Sequence, residues 1–224
     1  MLDFSSETAR EQMIEQQIRA TGVLAPQILA LFRKVPREQF VPEAFATLAW
    51  ADCEIPIGHD ESMMSPMIEG QLLDSLAIRP AERILEIGTG SGFLTACLAS
   101  LGSHVTTLDL HTDFIDQAQR RHRDLGLPSP IDYRTEDGHR MPASLHNERF
   151  DIIVLTGSLH VPEPSFSQAL APGGRLWVVI GTGPIQKAHR IERAGGSSYN
   201  DRVLFETRLK PLTHAPKPTG FSWS

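Results

Sequence analysis

The stretch "RILEIGTGSGF", Arg83–Phe93, decides the fold, because a short apolar run passes directly into a glycine-rich turn. The apolar run predicts a buried β-strand, and "GFLTACLASLG" after the turn has the spacing of a helix. Gly88, Gly90 and Gly92 allow a tight turn and let a ligand approach the main chain. The helix after the turn offers free N–H groups and a positive dipole end. The pattern therefore predicts a ligand site at the carboxyl end of this strand.

The rest of the C-terminal two thirds alternates strands with helices. The strands "HVTTLDL", "IDYRTED", "FDIIVLTG" and "RLWVVIG" are separated by helical stretches such as "TDFIDQAQRRHRDLG" and "EPSFSQALAPGG". This alternation predicts a parallel sheet with helices on both faces. The segments "IQKAHRIER" and "RVLFETRLKPL" predict two final strands in antiparallel arrangement. The fold class is thus α/β and Rossmann-like, with a mostly parallel central sheet.

The N-terminal third is predicted to be a helical extension. "SETAREQMIEQQIRATG" is a helix that Ser5 or Ser6 can cap and that Gly22 ends. A second helix begins at Pro26, residues 49–66 are irregular, and "PMIEGQLLDSLAI" returns to helical spacing. The predicted division is residues 1–78 for the helical segment and an active-site loop, 79–213 for the Rossmann-like domain, and 214–224 for a loose tail in which Phe221 and Trp223 are candidates for docking.

Composition excludes several classes of protein. The chain has 224 residues, 41% of them hydrophobic and 21% charged, as in ordinary globular proteins. Its net charge of −6 argues against a nucleic-acid partner. Cys53 and Cys97 form neither a disulfide framework nor a metal set, and both are expected to be buried thiols. The sequence shows neither a signal peptide nor a membrane helix, so a cytoplasmic protein without a membrane partner is expected.

The glycine turn distinguishes between nucleotide classes. A P-loop requires Gly-Lys-Ser/Thr, and the turn contains no lysine. The NAD fingerprint is G-x-G-x-x-G, whereas here Gly92 comes one place early and Phe93 takes the expected position. A third glycine placed one residue earlier than in the NAD fingerprint suits a ligand with an amino-acid end rather than a pyrophosphate. The turn resembles the first motif of class I S-adenosylmethionine (SAM) methyltransferases, in which an acidic residue precedes the loop, as Glu86 does here.

Two further acidic residues agree with this resemblance. Asp109 ends the second predicted strand, where a carboxylate can accept both hydroxyls of a ribose. Asp137, in "TEDG", ends the third predicted strand, near the place of an adenine. The simpler alternatives are that Asp109 caps the helix near Thr112 and that Asp137 only makes a turn. The SAM-binding residues implied by the resemblance are Glu86, Gly88, Thr89, Gly90, Ser91, Gly92, Asp109, Leu110, Asp137, Gly138 and Thr156.

A closer resemblance covers the chain from about Met13 to Thr213. "MIEQQIRATGVLAPQILALFRKVPREQFVPEAF", "IPIG", "LEIGTGSGF", "LAPGGRL" and "RLKPLT" are similar to segments of the protein-L-isoaspartate (D-aspartate) O-methyltransferase family. "VPREQFVP" and "IPIG" are specific to that family, whereas the glycine motif belongs to methyltransferases generally. The resemblance implies a SAM-dependent enzyme without a metal that methylates a carboxylate of a damaged, isoaspartyl protein or peptide.

One loop departs from the family pattern. In "GHDESMMSP", Gly58–Pro66, the family's catalytic serine falls on Met64, and Ser65 comes one place late. The alternative is a local shift of register that would bring Ser62 or Ser65 into the serine's place, so the candidate catalytic set is Ser62, Met64 and Ser65. Met63 matches an apolar position of the family and is expected to pack in the core. Methionine has no hydrogen-bond donor, so Met64 cannot orient a carboxylate as a hydroxyl can.

Three functional hypotheses therefore remain open. The protein is an isoaspartyl methyltransferase, a methyltransferase with a changed protein, peptide or small-molecule acceptor, or a non-catalytic SAM-binding protein. An ionised carboxylate acceptor needs little general-base help, whereas an amine or phenol acceptor needs a base. His59, His139 and His160 lie in predicted loops near strand ends and are either such bases or ordinary surface histidines. The sequence does not fix the oligomeric state.

Overall fold

The structure, a computed structural model, describes residues 4–128 and 130–217; the predicted docking of Phe221 and Trp223 lies outside these residues. The first helical stretch runs as α1 (Phe4–Gln12), a π-helical segment (Met13–Ile18) and a 3₁₀ turn (Arg19–Thr21). Gly22 ends it in the left-handed conformation, as predicted. Because α1 begins at Phe4, Ser5 and Ser6 lie inside its first turn, and the predicted cap position is wrong.

The middle of the N-terminal third contains a β-hairpin that the sequence did not reveal. The elements here are α2 (Pro26–Lys34), two 3₁₀ segments (Arg37–Gln39 and Glu43–Leu48), β1 (Ile55–Gly58), β2 (Glu61–Met63) and α3 (Pro66–Leu76). The expectation that residues 49–66 are irregular is therefore wrong. The two-residue turn between β1 and β2 places His59 at φ 50° and Asp60 at φ 59°. Turns of this type usually carry glycine, and its absence hid the hairpin.

A seven-stranded sheet forms the centre of the molecule. Its strands are β3 (Arg83–Ile87), β4 (His104–Asp109), β5 (Ile131–Thr135), β6 (Phe150–Leu159), β7 (Leu170–Ile180), β8 (Gln186–Gly195) and β9 (Ser198–Thr207), in the spatial order β5-β4-β3-β6-β7-β8-β9. The five strands from β5 to β7 are parallel, and β8 and β9 are antiparallel. The predicted α/β fold class is confirmed.

Helices follow the parallel strands as predicted. They are α4 (Phe93–Leu101), α5 (Thr112–Leu125) and α6 (Pro164–Gln168). His111 is the residue before α5, so Thr112 is the first helical residue and not its cap. From β3 the chain adds β4 and then β5 on one side of β3. It then crosses to the other side of β3 and adds β6 and β7, so the order of strands reverses between β3 and β6. Open α/β sheets bind ligands at such a point.

Two hydrophobic clusters lie on the two faces of the sheet. Alternate residues of a strand point to opposite faces, so Ile84 packs in one cluster and Leu85 in the other. The first cluster joins the sheet to α2, α3 and α4; the second joins it to α6. Cys97 is buried as predicted, but Cys53 is only partly buried. Within the described residues, no helix has the length and apolar character needed to span a bilayer.

Candidate functional site

A cleft of about 340 Å³ lies at the carboxyl ends of the central strands; we call it the main cleft. Its volume is in the range of small-molecule sites. The walls come from the turn after β3, the ends of β4 and β6, the β1–β2 hairpin and the segment 209–213. The predicted site residues that line it are Ser62, Met64, Gly88, Gly90, Asp109, Leu110, Asp137, Gly138 and Thr156.

The glycine turn is fixed to the two strands beside it. The N–H groups of Gly88 and Thr89 donate to the Leu108 carbonyl oxygen at 2.8 and 3.0 Å. From the other side, the Thr156 hydroxyl lies 2.9 Å from the Gly88 carbonyl oxygen and can donate to it. Gly88 has φ 95°, and a Cβ there would lie 2.0 Å from Thr156 Oγ1. Only glycine fits this position, and the main chain therefore faces the cleft without a side chain.

Gly92 serves the packing of the turn on α5 and does not line the main cleft. A Cβ at Gly92 would lie 2.8 Å from the Cβ of Ala118. His122 Nε2 donates to the Gly92 carbonyl oxygen at 2.7 Å, so Nδ1 of the neutral ring accepts from the Tyr133 hydroxyl, also at 2.7 Å. Burial lowers the pKa of His122 to about 4, which keeps this ring neutral near pH 7.

Glu86 and Thr89 belong to a buried network behind the turn. One carboxylate oxygen of Glu86 accepts hydrogen bonds from Thr95 and, at 2.7 Å, from Thr107. Thr107 Oγ1 in turn lies 2.6 Å from Thr89 Oγ1. Burial raises the pKa of Glu86 to about 8. These side chains support the turn from behind, and contact of Glu86 or Thr89 with a ligand stays a prediction.

The two predicted serines Ser65 and Ser91 also lie outside the main cleft. Ser65 precedes α3, is buried, and makes no side-chain hydrogen bond to the helix end. The Ser91 hydroxyl accepts from the Phe93 N–H at 3.3 Å, and its carbonyl oxygen accepts from Arg121 at 2.9 Å. α4 begins at Phe93, two residues later than Ser91. The Ser91 hydroxyl therefore contacts the local backbone, and neither serine lines the main cleft.

Asp109 holds its carboxylate at the rim of the main cleft. Its two oxygens accept the N–H groups of Gly90 at 2.8 Å and of His111 at 2.9 Å. Burial raises the pKa of Asp109, although these two hydrogen bonds oppose the shift. A carboxylate has about four lone-pair sites, so two remain for hydroxyl groups of a ligand. The alternative that Asp109 only caps a helix does not explain its place in the cleft wall.

Asp137 also lines the main cleft and contacts two histidines. One oxygen accepts from the His139 N–H at 3.1 Å and pairs with His139 Nδ1 at 2.8 Å; the other pairs with His214 Nδ1 at 2.7 Å. Burial alone would raise the pKa of Asp137, but the hydrogen bonds outweigh it and the pKa is lowered. Next to it, Gly138 packs so closely that a Cβ would lie 2.4 Å from Ile87 Cγ2.

The methionine loop is anchored by a buried ion pair that the sequence analysis missed. Met63 packs in the core, whereas Met64 is buried and also lines the main cleft. The Met64 carbonyl oxygen accepts from Arg37 at 2.7 Å, and Arg37 forms a buried ion pair with Glu69 on α3. Arg37 Nε donates to Ala49 O at 3.0 Å. The one available signal was a charged residue inside the apolar segment "VPREQFVP".

A lysine near the end of the chain forms another part of the wall that the sequence analysis did not single out. Lys210 Nζ lies 2.7 Å from Glu61 Oε1 and 2.8 Å from the Asp60 carbonyl oxygen. This contact joins the segment after β9 to the hairpin. Nothing local in "RLKPLT" indicates it, because its partners precede Lys210 by 149 and 150 residues.

The main cleft brings together the groups that the sequence analysis predicted for SAM. The turn after β3 presents Gly88 and Gly90, Asp109 ends β4, and Asp137 follows β5. Their contacts with the amino-acid end, the ribose and the adenine stay predictions. The acidic lining also suits a sulfonium cation. The fold and this cleft define the class: a SAM-dependent methyltransferase of class I.

Comparison with known proteins narrows the class. A family model described as protein-L-isoaspartate(D-aspartate) O-methyltransferase (PCMT) matches residues 8–217. A protein-L-isoaspartate O-methyltransferase 1 of Rhodopseudomonas palustris (strain HaA2) is 38% identical over 208 residues, covering 91% of this chain and 82% of the relative. A second relative, from strain ATCC BAA-98 / CGA009, is 35% identical, covering 93% and 97%. The chain therefore belongs to the protein-L-isoaspartate(D-aspartate) O-methyltransferase family.

Solved structures agree on the fold. The crystal structure of a beta-aspartate methyltransferase (PCMT) from Plasmodium falciparum, in complex with S-adenosyl-L-homocysteine, superposes with a TM-score of 0.77 at 18% identity. The match covers 91% of this chain and 97% of that one. At this identity the likeness supports the architecture and not the role of any single residue.

Proposed function

We propose that the protein transfers the methyl group of SAM to a carboxylate of an isoaspartyl residue in a protein or peptide. Membership of the family supports the reaction and the acceptor. The observation that carries the assignment to this site is the main cleft, where Gly88 and Gly90 of the turn after β3 lie beside the Asp109 carboxylate at the end of β4.

Each part of the main cleft has a proposed role in binding. The main chain from Gly88 to Gly90 receives the amino-acid end of SAM, Asp109 accepts the ribose hydroxyls, and Asp137 with Gly138 borders the adenine. Leu110 and Thr156 complete the wall. When bound, SAM supplies a methyl group on a positively charged sulfur, which an ionised carboxylate can attack directly.

The chain's contribution to catalysis is then positioning and exclusion of water. An isoaspartyl carboxylate is ionised near neutral pH and needs no base to become a nucleophile. Holding the two reactants in line converts the encounter into an effectively unimolecular step. In this scheme the network from Arg37 to the Met64 carbonyl is a positioning device, since it fixes the loop that borders the acceptor side.

Met64 supports a second candidate function: methyl transfer to a different, more apolar acceptor. Its side chain lines the main cleft and offers no hydrogen-bond donor. A flexible thioether adapts well to apolar groups of varied shape. Ser62 also lines the cleft and is the hydroxyl nearest in sequence to Met64 on that wall.

The discriminating assay incubates the protein with methyl-labelled SAM and an isoaspartyl peptide. Its readout is the formation of a base-labile methyl ester on the peptide. Formation of ester supports the first function, and the matching peptide with normal aspartate is the control. Binding of S-adenosyl-L-homocysteine without ester supports the second function or a non-catalytic protein, which a screen of other acceptors separates. Met64→Ser tests the loop: a gain of ester formation means that the methionine limits this chemistry.

A binding measurement tests the cleft independently of the acceptor. Asp109→Ala is expected to weaken S-adenosyl-L-homocysteine binding by roughly 1–3 kcal/mol, the range for buried polar partners left without hydrogen bonds. Asp113→Ala is the matched control, because Asp113 is exposed and pairs with His59 outside the cleft wall. Equal affinities of the two variants by calorimetry would remove Asp109 from the ribose site.

A further inference from the structure

A second cavity of about 730 Å³, which we call the side cavity, adjoins the main cleft. The two share the wall residues Glu54, Leu209, Lys210 and Pro211. The side cavity also has His160 and Arg208 in its lining. The two cavities therefore meet at the wall that contains Lys210. A molecule held in the side cavity would lie beside the main cleft at this residue.

The charges of the main cleft make Lys210 exceptional. Among the described residues that line it, the acidic ones are Glu54, Asp60, Glu61, Asp109, Glu136 and Asp137, whereas Lys210 is the single lysine or arginine. Such a wall attracts a sulfonium but repels a carboxylate acceptor. A carboxylate entering from the side cavity needs a cation at the junction, and Lys210 is the one that stands there.

Lys210 at present binds carboxylate groups of the protein itself. Its Nζ lies 2.7 Å from Glu61 and 3.4 Å from the Asp60 carboxylate. The side chain of Lys210 is 44% exposed and that of Glu61 is 29% exposed, so this pair is in contact with solvent. Ion pairs of this kind contribute little to stability and exchange readily. An incoming carboxylate can thus replace Glu61 on Nζ at small cost.

We propose that Lys210 binds the carboxylate of the methyl acceptor at the junction of the two cavities, with Glu61 as the partner that it gives up. The proposal rests on the proposed function and adds a specificity-determining residue to it. It also accounts for Met64: the charged ammonium group supplies the carboxylate recognition that a methionine in the loop cannot provide.

The alternative role of Lys210 is purely structural, as a link between the hairpin and the segment after β9. The two roles predict different signs for two substitutions. If Lys210 only links these elements, Lys210→Met and Glu61→Gln break the same contact, and both weaken binding of the acceptor. If Lys210 binds the acceptor, Lys210→Met weakens acceptor binding, whereas Glu61→Gln frees the ammonium group and strengthens it.

The experiment titrates an isoaspartyl peptide into the S-adenosyl-L-homocysteine complex of each variant and measures the Kd by calorimetry. We expect Lys210→Met to weaken peptide binding about tenfold, the loss of one charge-assisted contact, and Lys210→Arg to stay within about threefold of wild type. Glu61→Gln should tighten it. Asp113→Asn is the matched control, because it removes the same charge from an exposed carboxylate that lies outside both cavities and does not contact Lys210.

Three results would overturn the proposal. If Lys210→Met and Glu61→Gln both weaken binding, Lys210 is a structural link. If the wild type methylates the peptide and Lys210→Met binds it equally well, the proposed function stands and the role of Lys210 is wrong. If the wild-type complex neither binds nor methylates the peptide, the proposed function fails, and the proposal for Lys210 fails with it.

Discussion

Replacement of Arg37 by methionine tests how the methionine loop is held. Arg37 is 1% exposed and makes three polar contacts: the ion pair with Glu69 and hydrogen bonds to the carbonyl oxygens of Met64 and Ala49. Arg37→Met removes all three and leaves the Glu69 carboxylate buried without a cation. Removing one partner of a buried pair costs about 3–5 kcal/mol. That is a large part of the roughly 5–15 kcal/mol by which a domain is stable.

The loss should depend on pH in a defined direction. Burial already raises the pKa of Glu69 to about 7 against the opposing effect of Arg37, so removal of Arg37 raises it further. A carboxyl group with a raised pKa in the folded state loses its stabilising proton as pH rises. The variant should therefore be less destabilised at acidic pH than at alkaline pH. In the Arg37→Met background, Glu69→Gln should recover part of the stability.

The assay is urea unfolding followed by circular dichroism at several pH values. Arg33→Met is the matched control, since Arg33 is 41% exposed and its ion pairs should contribute at most about 1 kcal/mol. A loss below about 1 kcal/mol for Arg37→Met, without dependence on pH, would refute the reasoning. If Arg37→Met keeps the stability of the wild type but methylates the acceptor slowly, then Arg37 positions the loop and does not stabilise the fold.

Three further changes test the turn and the hairpin. The pKa of Glu86 is about 8 in the folded state, so the free energy of unfolding should fall as pH rises towards 8. Glu86→Gln should reduce this dependence on pH by up to about 1.4 kcal/mol per pH unit, measured by denaturant titration at several pH values. An unchanged slope would mean that Glu86 is ionised when buried. Gly92→Ala should lower the Tm and weaken S-adenosyl-L-homocysteine binding, because its Cβ would meet Ala118 at 2.8 Å and φ is 86°; normal values for both would contradict this packing. Asp60→Gly should raise stability by about 0.5–1 kcal/mol in thermal unfolding, because φ is 59° there, and a lower Tm would contradict the strain.

The comparison of sequence with structure separates local features from distant ones. The glycine turn, the alternation of strands and helices, and Gly22 as a helix end were predictable, because each depends on neighbouring residues. The hairpin from Ile55 to Met63 was not, since its turn has no glycine in either of its two central positions. The division of the chain at residue 78 stays a prediction. The predicted roles of individual site residues likewise await the binding experiments.

The sequence by itself determined the α/β class, the family and the place of the glycine turn. Tertiary structure alone decided which side chains face the cleft. In the folded chain Gly92 packs against α5, and Glu86 lies in the buried network behind the turn. Lys210 contacts a hairpin that precedes it by about 150 residues. The physical reason is that periodicity and glycine conformation act over a few residues, whereas a cleft wall is assembled from strands and loops that only packing brings together.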